Sequence, residues 1–179
     1  MIRVRLLLSI QMTCFCFGIE QVSPPWGFTF SQWAGDPLDV IVYIPAGAHK
    51  NTKILMVVPG ASRDTQRFHA SWLSFAKEDT FAVVTIGASK KYFPDEYSYN
   101  AGNTITAKGE SIDSSRWLFT AIEKVFQTVK NRYGFEAKKF YLFGHSAGGG
   151  FVHRYMLFMP DAPVEKAVSA NPAFVTLPD

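Results

Sequence analysis

Cysteine is nearly absent: the 179 residues contain two, Cys14 and Cys16, both within the first 18 positions. Beyond position 18 the chain can form no disulfide, no cysteine-based metal site and no thiol nucleophile, so packing alone must stabilise it. An excess of one charge is also missing. Lys and Arg number 18 against 15 Asp and Glu, a net charge of +3, and Arg3 and Arg5 supply two of the positives. The remainder is close to neutral and offers nucleic acid no basic footprint. There are no internal repeats and no low-complexity tracts. The one N-terminal apolar run, LLLSIQMTCFCFGI, is too short for a comfortable membrane span. No metal or organic cofactor is implied. At 47% hydrophobic and 18% charged, the chain reads as one globular domain with a sizeable core.

The N-terminus reads separately. MIRVR is basic, the apolar run follows, then polar Glu20 and Gln21, with small Cys16 and Gly18 at −3 and −1 of a cut after Gly18. The pattern predicts an export signal over 1–18, placing the mature protein in the periplasm or outside the cell. An uncleaved anchor and an ordinary buried segment are the alternatives.

From residue 19 to 179 the pattern is that of an α/β domain. GFTFSQW (27–33) and LDVIVYIP (38–45) flank the turn signal AGDP and predict an antiparallel hairpin. ILMVVPG (54–60) and FAVVTIGA (81–88) are continuous apolar runs, as in strands buried on both faces. Between them residues 64–78 predict a helix capped by Asp64, with Phe68, Trp72 and Phe75 on one face. The polar stretch 90–110 is long for a connection. Tyr99 and Asn100 within it are candidate substrate contacts; a solvated loop with packed aromatics is the alternative. Residues 113–133 predict the strongest helix, with Asp113 or Ser114 as cap, a stripe of Trp117, Ala121, Ile122, Val125 and Val129, and Gly134 as stop. Strand 138–144, helix 147–159 and strand 166–172 follow. The alternation from residue 54 predicts a mostly parallel sheet with helices on its faces.

Within this alternation FYLFGHSAGGG (140–150) runs from a strand into a glycine-rich turn. Ser146 stands between Gly144 and Gly148 in a G-x-S-x-G pattern, which lifts a nucleophilic serine off the sheet on a sharp strand-to-helix bend. The spacing G-x-x-x-G-G-G fits neither a dinucleotide fingerprint nor a P-loop. Ser146 at a helix N-terminus lets the Ala147 N–H face a developing oxyanion. The second donor belongs to the loop after strand 54–58, VVPGASRD, where the Ala61 N–H is the natural candidate and Ser62 the next. Pro59-Gly60 stands where many such enzymes carry His-Gly, so a histidine brace for that loop is lost.

These segments, with PGASRD, FPDEYSYNAGN, FGHSAGGGFVHRYMLFMP and ANPAFVTLPD, resemble the α/β-hydrolase superfamily, in particular its polyhydroxyalkanoate-depolymerase-like and esterase group. The similarity runs from about Trp26 onward. It implies serine hydrolysis of small or polymeric esters through an acyl-enzyme, without fixing the substrate.

In that fold the catalytic acid and histidine follow the serine on loops after later strands. Here 33 residues follow Ser146, enough for one more strand. The expected domain is an α/β-hydrolase lacking its last two strands, with acid and base not found. His153 is two helical turns past Ser146, roughly 10 Å along the axis and beyond hydrogen-bond reach. His49, His69 and His145 are weak substitutes, and Asp161, Glu165 and Asp179 are the only acids after the nucleophile. Two readings follow: an incomplete exported serine hydrolase, weak or inactive as it stands, or a non-catalytic interaction module. In either, strand 166–172 would present an open edge suited to self-association.

Overall fold

The computed structural model describes residues 26–176; the segment 1–18 read as an export signal, Cys14, Cys16 and Asp179 lie outside them. The strands are β1 (Trp26–Phe30), β2 (Leu38–Tyr43), β3 (Ile54–Val58), β4 (Ala82–Gly87), β5 (Phe140–His145) and β6 (Val164–Ala170). They form one sheet in the order β1-β2-β4-β3-β5-β6. The β1–β2 hairpin and the β2–β4 pairing are antiparallel, while β3 pairs parallel with β4 and β5, and β5 with β6. The helices are α1 (Thr65–Ala70), α2 (Leu73–Glu78), α3 (Leu118–Tyr133) and α4 (Ala147–Phe158). The predicted mostly parallel sheet with flanking helices is therefore present.

The two-residue period of the strands divides the core. Ile54, Met56 and Val58 of β3 face a large cluster with Phe119, Ile122, Val125, Phe126 and Val129 of α3 and Phe151, Val152 and Tyr155 of α4. Leu55 and Val57 face a smaller cluster with Tyr43, Val83 and Ala76, against which Phe68, Trp72 and Phe143 pack. Burial at every position, as in β3 and β4, is what a doubly covered strand shows, and the one polar side chain there, Thr85, is hydrogen-bonded to His69.

Three local expectations are corrected. The helix over 64–78 is two short helices. The Ser71 hydroxyl donates to the Phe68 carbonyl (2.8 Å) and the Trp72 amide turns to His69 O (3.1 Å), so the α-helical ladder stops there. The break rotates α2, leaving Phe75 54% exposed while Trp72 meets Phe143 edge-on at 4.9 Å. Asp113 caps a separate 3-10 turn at Ser114–Arg116, and Trp117, expected in the stripe, is the N-cap of α3. The final strand starts at Val164, two residues early. Asp64 does cap α1, accepting from the Arg67 amide at 2.9 Å, and Gly134 ends α3 at φ 72°. β6 closes one side of the sheet, and among the described residues no strand pairs its outer edge.

Candidate active site

At the carboxyl ends of β3 and β5 two bends meet. Leaving β5, Ser146 adopts φ 57°, ψ −118° and becomes the N-cap of α4. That backbone region is sparsely populated for a residue with a Cβ, and holding it costs on the order of 1–3 kcal/mol. The surroundings fix it: the Ser146 amide donates to Ala170 O of β6 at 2.9 Å, and the Gly150 amide to Ser146 O at 3.0 Å.

The glycines two residues to either side are required by close approach. A Cβ at Gly144 would stand 2.1 Å from Gly148 O, and a Cβ at Gly148 would stand 2.2 Å from Val58 O and 2.5 Å from Pro59 O. Helix α4 therefore sits directly on the end of β3, a distance only hydrogen at these positions permits. The loop Pro59–Arg63 arrives alongside: a Cβ at Gly60 would be 3.6 Å from the Ser146 Cβ.

A cleft of about 460 Å³ opens over this junction, lined by Gly60, Ala61, Ser62, Arg67, Phe68, Ser71, His145 and Ser146. Ser146, Ala61 and Ser62 are thus brought together, and Ala147 opens the helix beneath. Sequence reasoning missed Arg67 and Phe68 as walls; their one signal was a position within one helical turn of the loop.

Tyr99 and Asn100 are placed elsewhere, so the substrate-contact expectation is corrected for this cleft. Tyr99 is 1% exposed, its ring tilted against Phe151 of α4 and its hydroxyl donating to Pro59 O. Asn100 is buried beside α4, where its carbonyl accepts from Arg154 at 3.2 Å, and it lines a separate depression with Arg154 and Phe174. Burial drew both aromatic and amide inward, while much of stretch 90–110 around them is exposed, as in a solvated loop with packed aromatics.

None of the four histidines hydrogen-bonds to Ser146. His69 is buried, with Nδ1 at 2.9 Å from the Thr85 hydroxyl, and burial lowers its pKa to about 4, so it is neutral near pH 7. His153 meets the backbone of Thr176. His49 Nδ1 accepts from the Asn51 amide. His145, inside the bend, lies beside Phe68 with ring centroids 6.2 Å apart. Of the acids, Glu165 pairs with Lys139 at 3.7 Å on the surface and Asp161 is exposed. Among the described residues no His, Cys, Asp and Glu cluster could hold a metal, and no helix is long and apolar enough to cross a membrane.

No protein-family model matches the chain, and no curated protein sequence matches it. Solved structures do. Poly(aspartic acid) hydrolase-1 from Sphingomonas sp. KT-1 superposes with a TM-score of 0.84 at 37% identity, over 87% of this chain. LpqC, a poly(3-hydroxybutyrate) depolymerase from Bordetella parapertussis, superposes with a TM-score of 0.82 at 28% identity, over 88% of this chain. The chain shares the α/β-hydrolase fold of these structures. It spans 59% and 55% of the lengths of those two structures. An acetyl xylan esterase from Aspergillus awamori, at 13% identity and a TM-score of 0.62 over 81% of this chain and 50% of its own, shares the fold.

Proposed function

We propose that this α/β-hydrolase chain carries the nucleophile and oxyanion hole of a serine hydrolase that cleaves carboxylic esters through an acyl-enzyme. The observation that carries the reading is the strained backbone of Ser146, at φ 57° and ψ −118°, opening into a cleft beside Ala61. Strain of this kind persists where surrounding structure over-determines it, and it concentrates at reactive positions. In this reading Ser146 Oγ attacks the ester carbonyl carbon and passes its proton to a general base. The carbonyl oxygen, now charged, is held by the Ala147 and Ala61 amides. The C–O bond breaks, the alcohol leaves with a proton, and water then releases the acid from Ser146.

The base is a histidine from sequence outside these 179 residues. All four histidines present have other neighbours, and none bonds to Ser146. The 179-residue chain alone is therefore a weak or inactive catalyst, retaining what an oxyanion hole gives without its base, roughly 10³–10⁴-fold over water in a well-studied protease. Substrates that are polymeric or carry carboxylates are favoured, given the polymer-cleaving neighbours and the Arg67 guanidinium in the cleft wall. The basic-then-apolar N-terminus supports export.

The test is p-nitrophenyl ester hydrolysis by this chain and by the product extended through the downstream reading frame, each beside Ser146→Ala. Strong activity in the extended form, abolished by the substitution, is expected. Activity that survives Ser146→Ala overturns the reading. A non-catalytic module that self-associates is the second reading, favoured by the unpaired edge of β6 and by Val168, 52% exposed upon it. A soluble dimer that Val168→Lys dissociates, with no serine-directed phosphonate labelling in either length of chain, is its signature.

A further inference from the structure

Tyr99 and Arg63 lie outside the cleft, yet both fasten the loop that forms its wall. The Tyr99 hydroxyl donates to Pro59 O, at the start of that loop. Arg63 closes it: its amide donates to Gly60 O at 3.0 Å, and its backbone holds φ 58°. Its guanidinium carbon lies over the Tyr99 ring, 3.3 Å from the centroid, and Nη1 donates to Ala88 O beyond β4 at 2.9 Å. Ala61 is therefore suspended between two fixed points, Pro59 and Arg63.

The same short segment reaches the other side of the site. The Tyr99 ring packs against Phe151, and the neighbouring Asn100 carbonyl accepts from Arg154, both on α4. Helix α4 begins with Ala147, so one tyrosine and its neighbour touch the supports of both amides. Burial pushes the Tyr99 phenol well above its ordinary pKa, which keeps the hydroxyl protonated and donating at any working pH.

We propose that Tyr99 and Arg63 are positioning residues that fix the Ala61 amide relative to the Ala147 amide, standing in for the histidine brace this loop lacks. The proposal depends on Ser146 being the nucleophile for its catalytic consequence, but not for its structural one. Tyr99→Phe deletes the hydroxyl and keeps the ring. Arg63→Lys keeps the charge and loses the planar guanidinium over that ring, which an ammonium does not replace.

Two measurements test it. Backbone ¹⁵N order parameters of the 179-residue chain come first. Both variants are expected to drop Ala61 and Ser62 from the rigid range near 0.85 to below about 0.6. Phe93→Leu, a core change at a buried ring stacked on Trp33, serves as the control for general destabilisation. Ester hydrolysis by the extended chain comes second, with kcat expected to fall about tenfold or more and KM to stay within twofold. Unchanged order parameters at Ala61, or a loss equal to that in Phe93→Leu, overturn the brace whatever Ser146 does. A mobile Ala61 with kcat unaltered, or with only KM raised, overturns the positioning role. If no Ser146-dependent hydrolysis exists in any form, the hydrolase reading falls on that result, and the order parameters still decide the brace.

Discussion

Gly148→Ala sets two well-known quantities against each other. Glycine in a helix is less favourable than alanine by roughly 1 kcal/mol, so propensity alone makes the substitution stabilising. The structure demands the opposite. The new methyl would stand 2.2 Å from Val58 O and 2.5 Å from Pro59 O, where real Cβ atoms essentially never come within 3.0 Å of a neighbour. Both obstacles are backbone, at the end of a strand buried along its whole length, so neither can swing aside. Relief requires α4 to lift from β3 by most of an ångström, and overpacking of this kind costs about 1–3 kcal/mol or more. With rigid backbone on both sides the upper end applies, leaving a net loss of about 2 kcal/mol after the propensity gain.

Gly150 supplies the internal comparison two residues on. A methyl there would meet first Arg154 Nη1 at 3.4 Å, the far end of a flexible side chain, so Gly150→Ala should keep most of its roughly 1 kcal/mol advantage. Urea unfolding of the three proteins at equal m-values gives the answer as midpoints: Gly148→Ala below the parent, Gly150→Ala at or above it. A Gly148→Ala protein as stable as the parent, or a Gly150→Ala protein more damaged than it, would refute the claim that helix-to-strand contact dictates these glycines. Because Ser146 is the N-cap of α4, the same displacement should also cut the Ser146-dependent activity of the extended chain.

Two further outcomes follow from side chains around the site. His69 titrates at about 4 in the folded protein against an ordinary 6.5, because burial disfavours its charged form. The unfolded chain then binds more protons between those values, so stability is full above pH 6.5 and falls as the pH drops, by about 3 kcal/mol near pH 4. His69→Gln should flatten this slope, and urea midpoints between pH 5 and 6.5, compared with the parent, measure it. Arg67 lines the Ser146 cleft and is exposed; Arg67→Ala should lower kcat/KM of the extended chain for a carboxylate-bearing ester by about three- to fivefold and leave a neutral ester unchanged, a difference that 0.5 M salt should shrink.

Strand and helix order were legible because apolar runs and their punctuation are local signals. ILMVV and AVVTI could only be buried strands, and Gly134 could only end a helix. The elbow was legible because its G-x-S-x-G spacing is local, although the atoms that require Gly148 belong to Val58 and Pro59 at the end of β3. What escaped reading was set at long range. Phe75 kept helical spacing with Trp72, yet it faces solvent because one hydroxyl, that of Ser71, takes the Phe68 carbonyl and breaks the helix. Tyr99 looked like a ligand contact because tyrosine in a long polar loop carries both meanings. Its partner Pro59 is 40 residues away, and no periodicity announces such a contact.

The strain at Ser146 is built by elements on both sides of its bend. Every contact that forces Ser146 into its unusual backbone comes from within residues 54–170: the end of β3 under Gly148, Gly144 beneath the helix, and Ala170 O accepting the Ser146 amide. The Ser169 hydroxyl adds a bond to Gly149 O at 2.8 Å, so two of the anchors belong to β6, one of the two edge strands among the described residues. Strain of about 1–3 kcal/mol is thus held partly by an edge strand. Anything that pairs with that edge, whether further chain or a second copy, stiffens β6 and with it the elbow. Pairing at the β6 edge and the backbone geometry of Ser146 are thereby coupled, through Ala170 and Ser169.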